Sequence, residues 1–197
     1  MNSSLPKLGI LGSGKGSNFR ALAEAHRSGN LGCDPVIVLS DVVNAGILNL
    51  AQEFKMPHHF IAPGPFRTKM DSEAEAAIVR LLQEAQVDFI ALAGFMRVIK
   101  EPLLNAFPGR IINIHPSLLP AFRGLASWRQ ALEAGATETG CTVHLVDSGV
   151  DTGTILGQSR VPVLEGDTAE SLHARIQVAE HELYPRIVRE FAGALIG

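Results

Sequence analysis

The sequence has little that could staple or anchor a chain. Its 197 residues include two cysteines, Cys33 and Cys141, far apart and in no C-x-x-C spacing. That excludes a redox dithiol and a cysteine-based zinc site, and both read as small core residues. No apolar run is long enough for a bilayer, since the most apolar window, residues 89–99, is interrupted by Arg97. The start, Met1-Asn2-Ser3-Ser4-Leu5-Pro6-Lys7, lacks the basic and apolar stretches of a signal peptide. The expectation is a cytoplasmic protein with no membrane partner. Positive charge is not in excess either: 17 Lys and Arg stand against 20 Asp and Glu, a net charge of −3. General attraction for nucleic acid is therefore not expected, although a local basic site for a small anion stays open. There is no repeat, low-complexity tract or linker, so residues 1–197 are read as a single domain.

What is present is ordinary globular composition, 46% hydrophobic and 19% charged, arranged as short apolar runs alternating with amphipathic stretches. Strands are predicted at 7–11, 36–39, 58–61, 88–92, 110–114, 140–146 and 154–161. Helices are predicted at 19–28, 45–54, 67–85, 127–133 and 167–191, the last broken or shifted near Pro185. Ser17 and Asn18 are candidate caps for the first helix. Leu172, Ile176, Ile187, Val188 and Phe191 form an apolar stripe for core packing. The alternation implies an α/β fold: a doubly wound, mostly parallel sheet with helices on both faces. The last two strands are too close in sequence for a parallel crossover, so a late antiparallel hairpin is expected. Ligands of such sheets bind beyond the carboxyl ends of the strands. This directs attention to residues 12–18, 94–97 and 113–120.

Gly12-Ser13-Gly14-Lys15-Gly16-Ser17-Asn18 follows the first strand and opens a helix. Free N–H groups and the helix dipole suit a phosphate there. A magnesium-binding phosphate loop fails because Gly16 stands where Ser or Thr is required, and a dinucleotide fingerprint lacks its third glycine. Asp41, near the end of the second strand, keeps a nicotinamide cofactor open, and the bland alternative for the glycine loop is a tight strand–helix turn with no ligand.

The fifth strand runs into Asn113-Ile114-His115-Pro116-Ser117-Leu118-Leu119-Pro120. Period-2 alternation puts Asn113 and His115 on one face. An amide N–H and a protonated imidazole can together stabilise an oxyanion forming on a carbonyl, and His can also move a proton near neutral pH. Asp151 is a candidate to orient the imidazole, and Asp147 competes on position alone. The bland alternative is a loop-bracing Asn and a structural His. No G-x-S-x-G nucleophile elbow is present, so direct acyl transfer between substrates is expected, without a covalent enzyme intermediate. His58, His59, His173 and His181 have no metal-binding spacing, and no metal site is expected. His144 reads equally as lining the site or bracing the Asp151 turn.

With these residues in view, the chain resembles the folate-dependent formyltransferases that act on glycinamide ribonucleotide, over nearly its whole length. The markers are Gly14-Lys15-Gly16-Ser17-Asn18, Ala93-Gly94-Phe95-Met96-Arg97, Asn113-x-His115-Pro116-Ser117-Leu118-Leu119-Pro120, Gly140-x-Thr142-Val143-His144, Asp151-x-Gly153 and Glu180-His181-x-x-Tyr184-Pro185. The resemblance implies transfer of a formyl group from 10-formyltetrahydrofolate, a co-substrate, to the amine of glycinamide ribonucleotide in purine biosynthesis, with no metal. Asn113, His115 and Asp151 match the catalytic trio. Gly16, Ser17 and Asn18 match residues holding the substrate phosphate, and Glu180 matches a carboxylate contacting the ribonucleotide. Met96, Arg97, Val98 and Ile99 match the folate-pocket segment, where Arg97 is also a candidate for the folate's glutamate tail.

Two stretches depart from the pattern. Where relatives carry a phosphate-clamping Arg, Lys69 aligns better than Arg67, and Lys supplies a point charge in place of a fork. Where relatives carry Gly-Leu-His-x-His, this chain has Gly124-Leu125-Ala126-Ser127-Trp128. The alternatives carried forward are a formyltetrahydrofolate hydrolase, a methionyl-tRNA formyltransferase and a non-catalytic nucleotide-binding module. The first two are expected to bring an additional domain, for which 197 residues leave no room. Monomer and homodimer are both open.

Overall fold

The computed structural model describes residues 5–196; most of the segment weighed above as a signal peptide, residues 1–4, lies outside them. Seven strands form one sheet: β1 (Lys7–Leu11), β2 (Asp34–Ser40), β3 (His58–Phe60), β4 (Phe89–Leu92), β5 (Ile111–His115), β6 (Glu138–Leu145) and β7 (Ile155–Pro162). Their spatial order is β3-β2-β1-β4-β5-β6-β7. The first five pair in parallel, and β5–β6 and β6–β7 are antiparallel. The expected doubly wound sheet with its late hairpin is thus observed, and the antiparallel part begins one strand earlier than expected.

Six helices cover the sheet: α1 (Ser17–Arg27), α2 (Gly46–Glu53), α3 (Ser72–Glu84), α4 (Glu101–Ala106), α5 (Ser127–Glu133) and α6 (Ala169–Ile196). Two apolar cores result, one on each face. One joins Leu8, Ile10, Phe19, Ile112, Ile176 and Tyr184, under α1, α2 and α6. The other joins Leu11, Leu39, Ile78, Leu82, Ile90 and Leu103, under α3 and α4. The central strands are buried on both faces, which explains why β4 reads as continuous Phe-Ile-Ala-Leu and not as an alternating pattern.

Several expectations are corrected. Ser17 and Asn18 do not cap α1; they are its first two residues, the cap position is Gly16, and no side chain caps it. Helix α3 starts at Ser72, not at 67, because Asp71 Oδ1 accepts from Ala74 N–H at 2.8 Å and ends the loop there. Residues ahead of it are needed elsewhere, since Lys69 pairs with Val98 in an isolated parallel bridge. Helix α4 has no counterpart among the predicted elements; six residues with Pro102 near its start are too few to show a period. Helix α6 is unbroken through Pro185. No helix among the described residues is long and apolar enough to cross a membrane.

Candidate active site

The carboxyl ends of β1, β4 and β5 are neighbours, so the glycine loop after β1 and the tip of β5 are separated by two strand spacings, about 10 Å. At the first of these, Gly16 has φ +82°, and a Cβ there would stand 2.8 Å from Ile47 Cα, so only glycine fits. The turn releases the N-terminus of α1 with no side-chain cap and no acidic residue in its first turn. Its N–H groups and dipole are left for an anion. Beside it runs a groove of about 710 Å³ whose lining includes Lys15, Ser17, Arg20, Asn49 and His181. One residue further in, Asn18 Nδ2 donates to Glu180 Oε2 at 3.1 Å, and Asn18 Oδ1 has no partner. Burial pushes Glu180 up to about 7, against the donation from Asn18. Glu180 is carried to this position by Tyr184, whose buried hydroxyl donates to the Leu92 carbonyl at 2.9 Å and pins α6 to the end of β4.

Asp41 is consumed by the scaffold. It accepts from Ser13 Oγ at 2.5 Å and from Arg97 Nε at 2.7 Å, and Ser13 Oγ in turn accepts from Met96 N–H at 2.9 Å. No carboxylate is left free there for a ribose, which removes the basis for a dinucleotide reading. The same contacts correct the expectation for Arg97. Its side chain is 16% exposed against Asp41 at 2%, and it also donates to the Phe66 carbonyl, so the guanidinium faces inward and does not await a folate tail. Of the rest of that segment, Met96 is exposed, Val98 N–H donates to Thr68 O at 2.9 Å and Ile99 is buried in core. The exposed Lys69 holds its Nζ 4.4 Å from the Phe66 ring centroid.

At the β5 tip, antiparallel register sets Asn113 opposite His144. Asn113 Nδ2 lies 3.2 Å from His144 Nε2, which lies 3.6 Å from Asp151 Oδ1; Asp151 Oδ2 lies 3.4 Å from His115 Nδ1. His115 Nε2 lies 3.0 Å from the Phe122 carbonyl, and Gly124 N–H donates to Asp151 Oδ2 at 2.9 Å. The structure therefore brings Asn113, His115 and Asp151 into one cluster, with His144 as the link. Asp147 does not join it; its Oδ1 accepts from Gly149 N–H at 3.0 Å and Thr152 Oγ1 at 2.6 Å, closing the turn. Phe122, Ala126 and Asp151 all have φ between +53° and +55°, a strained conformation for residues with a Cβ, concentrated around this cluster. Behind it Thr142 Oγ1 donates to Ser117 O at 2.7 Å and accepts from Leu119 N–H at 3.1 Å, fixing the loop that leaves β5.

Burial pushes Asp151 up, but the adjoining His144 ring, the hydrogen bond from Gly124 N–H and the His115 imidazole outweigh it, leaving the carboxyl below its ordinary range. For His115 burial wins the other way: it lowers the imidazole despite the Phe122 carbonyl and the Asp151 charge, both of which raise it. The two directions disagree about a standing ion pair. The geometry favours a charged pair: Nε2 faces the Phe122 carbonyl and Nδ1 faces the Asp151 carboxylate, so only a ring carrying hydrogen on both nitrogens satisfies both contacts, while burial opposes that charge.

Sequence alone does not choose between the two roles of His144, because its place depends on cross-strand register with β5. Trp128, at the end of the departing stretch and in α5, stacks on His173 with ring centroids 3.7 Å apart and planes 4° from parallel. No group of three or more His, Cys, Asp or Glu side chains that could hold a metal occurs among the described residues.

Fold and cluster define a class: an open α/β protein with an uncapped helix start and an Asn–His–Asp cluster at neighbouring strand ends. The chain belongs to the formyl transferase family, whose model it matches over residues 6–188. It is 39% identical over 189 residues to the phosphoribosylglycinamide formyltransferase of Bacillus subtilis (strain 168), covering 96% of each chain. It is 47% identical over 192 residues to the trifunctional purine biosynthetic protein adenosine-3 of Drosophila pseudoobscura pseudoobscura. That match takes in 96% of this chain, which spans 14% of the length of the trifunctional relative. Among solved structures, glycinamide ribonucleotide transformylase 1 from Symbiobacterium toebii superposes with a TM-score of 0.91 at 44% identity, over 98% of this chain and 90% of that one.

Proposed function

We propose that the chain transfers the formyl group of 10-formyltetrahydrofolate to the amine of glycinamide ribonucleotide, a step of purine biosynthesis. The observation that carries this reading is the Asn113–His144–Asp151–His115 cluster lying two strands from an uncapped helix N-terminus. An acyl acceptor that carries a phosphate needs both, at about that separation.

In this reading N–H groups of Gly16, Ser17 and Asn18 hold the phosphate, Lys69 adds positive charge, and Glu180 accepts from ribose hydroxyls. The segment Met96, Arg97, Val98 and Ile99 borders the folate, with backbone groups and the exposed Met96 side chain facing it. The substrate amine attacks the formyl carbon, and the carbonyl oxygen becomes an oxyanion. Asn113 donates one N–H to that oxygen. His115 donates the other once the growing negative charge and Asp151 together favour its protonated form; Phe122 O must then yield its place at Nε2. The amine loses a proton to Asp151 through water, and the same relay returns a proton to the folate nitrogen as its bond to the formyl carbon breaks and the oxyanion collapses to the carbonyl of the new amide.

The test is a spectroscopic assay of folate deformylation with and without glycinamide ribonucleotide. Turnover that requires the ribonucleotide and yields its formyl amide is expected. Turnover with water alone would make the chain a hydrolase, and none with either would leave a nucleotide-binding module.

A further inference from the structure

His144 is buried and makes two contacts whose chemistry decides the state of a third residue. Its Nδ1 lies 2.8 Å from the Leu145 carbonyl, and a carbonyl oxygen only accepts, so Nδ1 carries the hydrogen. Nε2 of the neutral ring is then an acceptor, and the nearest group offered to it is Asn113 Nδ2 at 3.2 Å. The two ends of an asparagine amide have nearly the same shape, so only neighbours decide which end points where. With Nδ2 turned to an imidazole lone pair, one N–H is spent on His144 and the second is left for another acceptor.

We propose that His144 is a positioning residue for Asn113: as the Nδ1–H tautomer it fixes the side-chain amide nitrogen-first, so that an N–H and not a carbonyl oxygen meets the reacting oxygen of the formyl group. This rests on the formyl-transfer reading. An amide turned the other way would set its oxygen against a developing oxyanion, opposing the charge it should stabilise. The competing role for His144 is to brace Asp151, whose Oδ1 is 3.6 Å from the same Nε2. At 3.6 Å that is no hydrogen bond, and with the hydrogen on Nδ1 the ring has none at Nε2 to give the carboxylate.

A double-mutant cycle separates the two. His144→Phe keeps the ring volume and removes the acceptor; kcat should fall about 10- to 100-fold, with KM for both substrates within about threefold. His144→Gln, which restores an acceptor oxygen, should recover most of that loss. In an Asn113→Ala background the Phe substitution should cost little more, whereas in an Asp151→Asn background it should cost its full amount. The reverse pattern, coupling to Asp151 and additivity with Asn113, overturns the proposal. A second measurement is independent of turnover and of whether the Phe variant folds: long-range ¹⁵N correlation of the wild-type imidazole should show the Nδ1–H tautomer, with Nε2 bonded to the Asn113 amide. An Nε2–H tautomer overturns the positioning role whatever the enzyme does with formyl folate, while an absence of formyl transfer alone rejects only the reading beneath it.

Discussion

Asp151 Oδ2 lies 3.4 Å from His115 Nδ1, and the two residues reach this point from opposite ends of the antiparallel part of the sheet. His115 closes β5, and Asp151 sits at φ +53° on the excursion between β6 and β7. The pair is asymmetric, with a carboxyl held charged by its surroundings beside a ring whose charge burial opposes.

Replacing Asp151 by Asn tests that asymmetry. Asn can still accept from Gly124 N–H, so the loop should survive while the charge is lost. kcat should fall about 10²–10³-fold, the range for losing electrostatic support of an oxyanion, with KM for the ribonucleotide little changed. The His115 titration followed by NMR should also move to lower pH, because one of the two influences raising it is gone. Both groups have folded values below their ordinary ones, so the stability they contribute is present above those ordinary values and is lost as pH falls through the folded ones. Wild type should therefore lose thermal stability on acidification through the His and then the carboxylate range, and D151N should lack the second part of that loss. An unmoved His115 titration would mean the carboxylate does not act on the ring.

The fold was largely legible in residue order. β1 and α5 have the bounds predicted, because each is a strong local pattern between clear breakers. The misses have physical causes. α4 is too short to show a period, and the start of α3 is set by Asp71 and by a bridge between Lys69 and Val98 that no local window contains. Strand period placed Asn113 and His115 on one face, but their nearest polar neighbours, His144 and the Phe122 carbonyl, come from other segments. Arg97 shows the same limit: its conspicuous charge suggests a ligand, while its partner Asp41 lies 56 residues away.

Glu180 carries a prediction of opposite sign. Its folded value is raised to about 7 from 4.5, so the stability tied to its protonated form is complete below about 4.5 and is lost as pH rises through about 7. Glu180→Gln keeps the shape without the charge, and its Nε2 can donate to the unpartnered Asn18 Oδ1. The variant should match wild type near pH 4 and exceed it by about 3 kcal/mol at most above pH 8, since each tenfold change in proton affinity is worth about 1.4 kcal/mol. Urea unfolding at the two pH values reads this directly. In the proposed function the same change should raise KM for the ribonucleotide more than it lowers kcat. Equal stabilities at pH 8 would show that the carboxylate is solvated in the folded chain.

Arg97→Ala should behave as a scaffold lesion and not as the loss of a ligand contact. Removing the guanidinium leaves Asp41 charged, almost fully buried, and held only by Ser13 Oγ. Leaving one partner of a buried ion pair uncompensated costs about 3–5 kcal/mol, so the midpoint of thermal or denaturant unfolding should drop sharply. Asp41→Asn in the same chain removes the stranded charge and should recover a substantial part of that loss, because Asn can still meet the Ser13 hydroxyl. Lysine at 97 should restore charge but not the second donation to the Phe66 carbonyl, so R97K should fall between wild type and R97A. If R97A unfolds at the wild-type midpoint and loses only affinity for folates with glutamate tails, the inward-facing ion pair is not maintained in solution and Arg97 belongs to the folate after all.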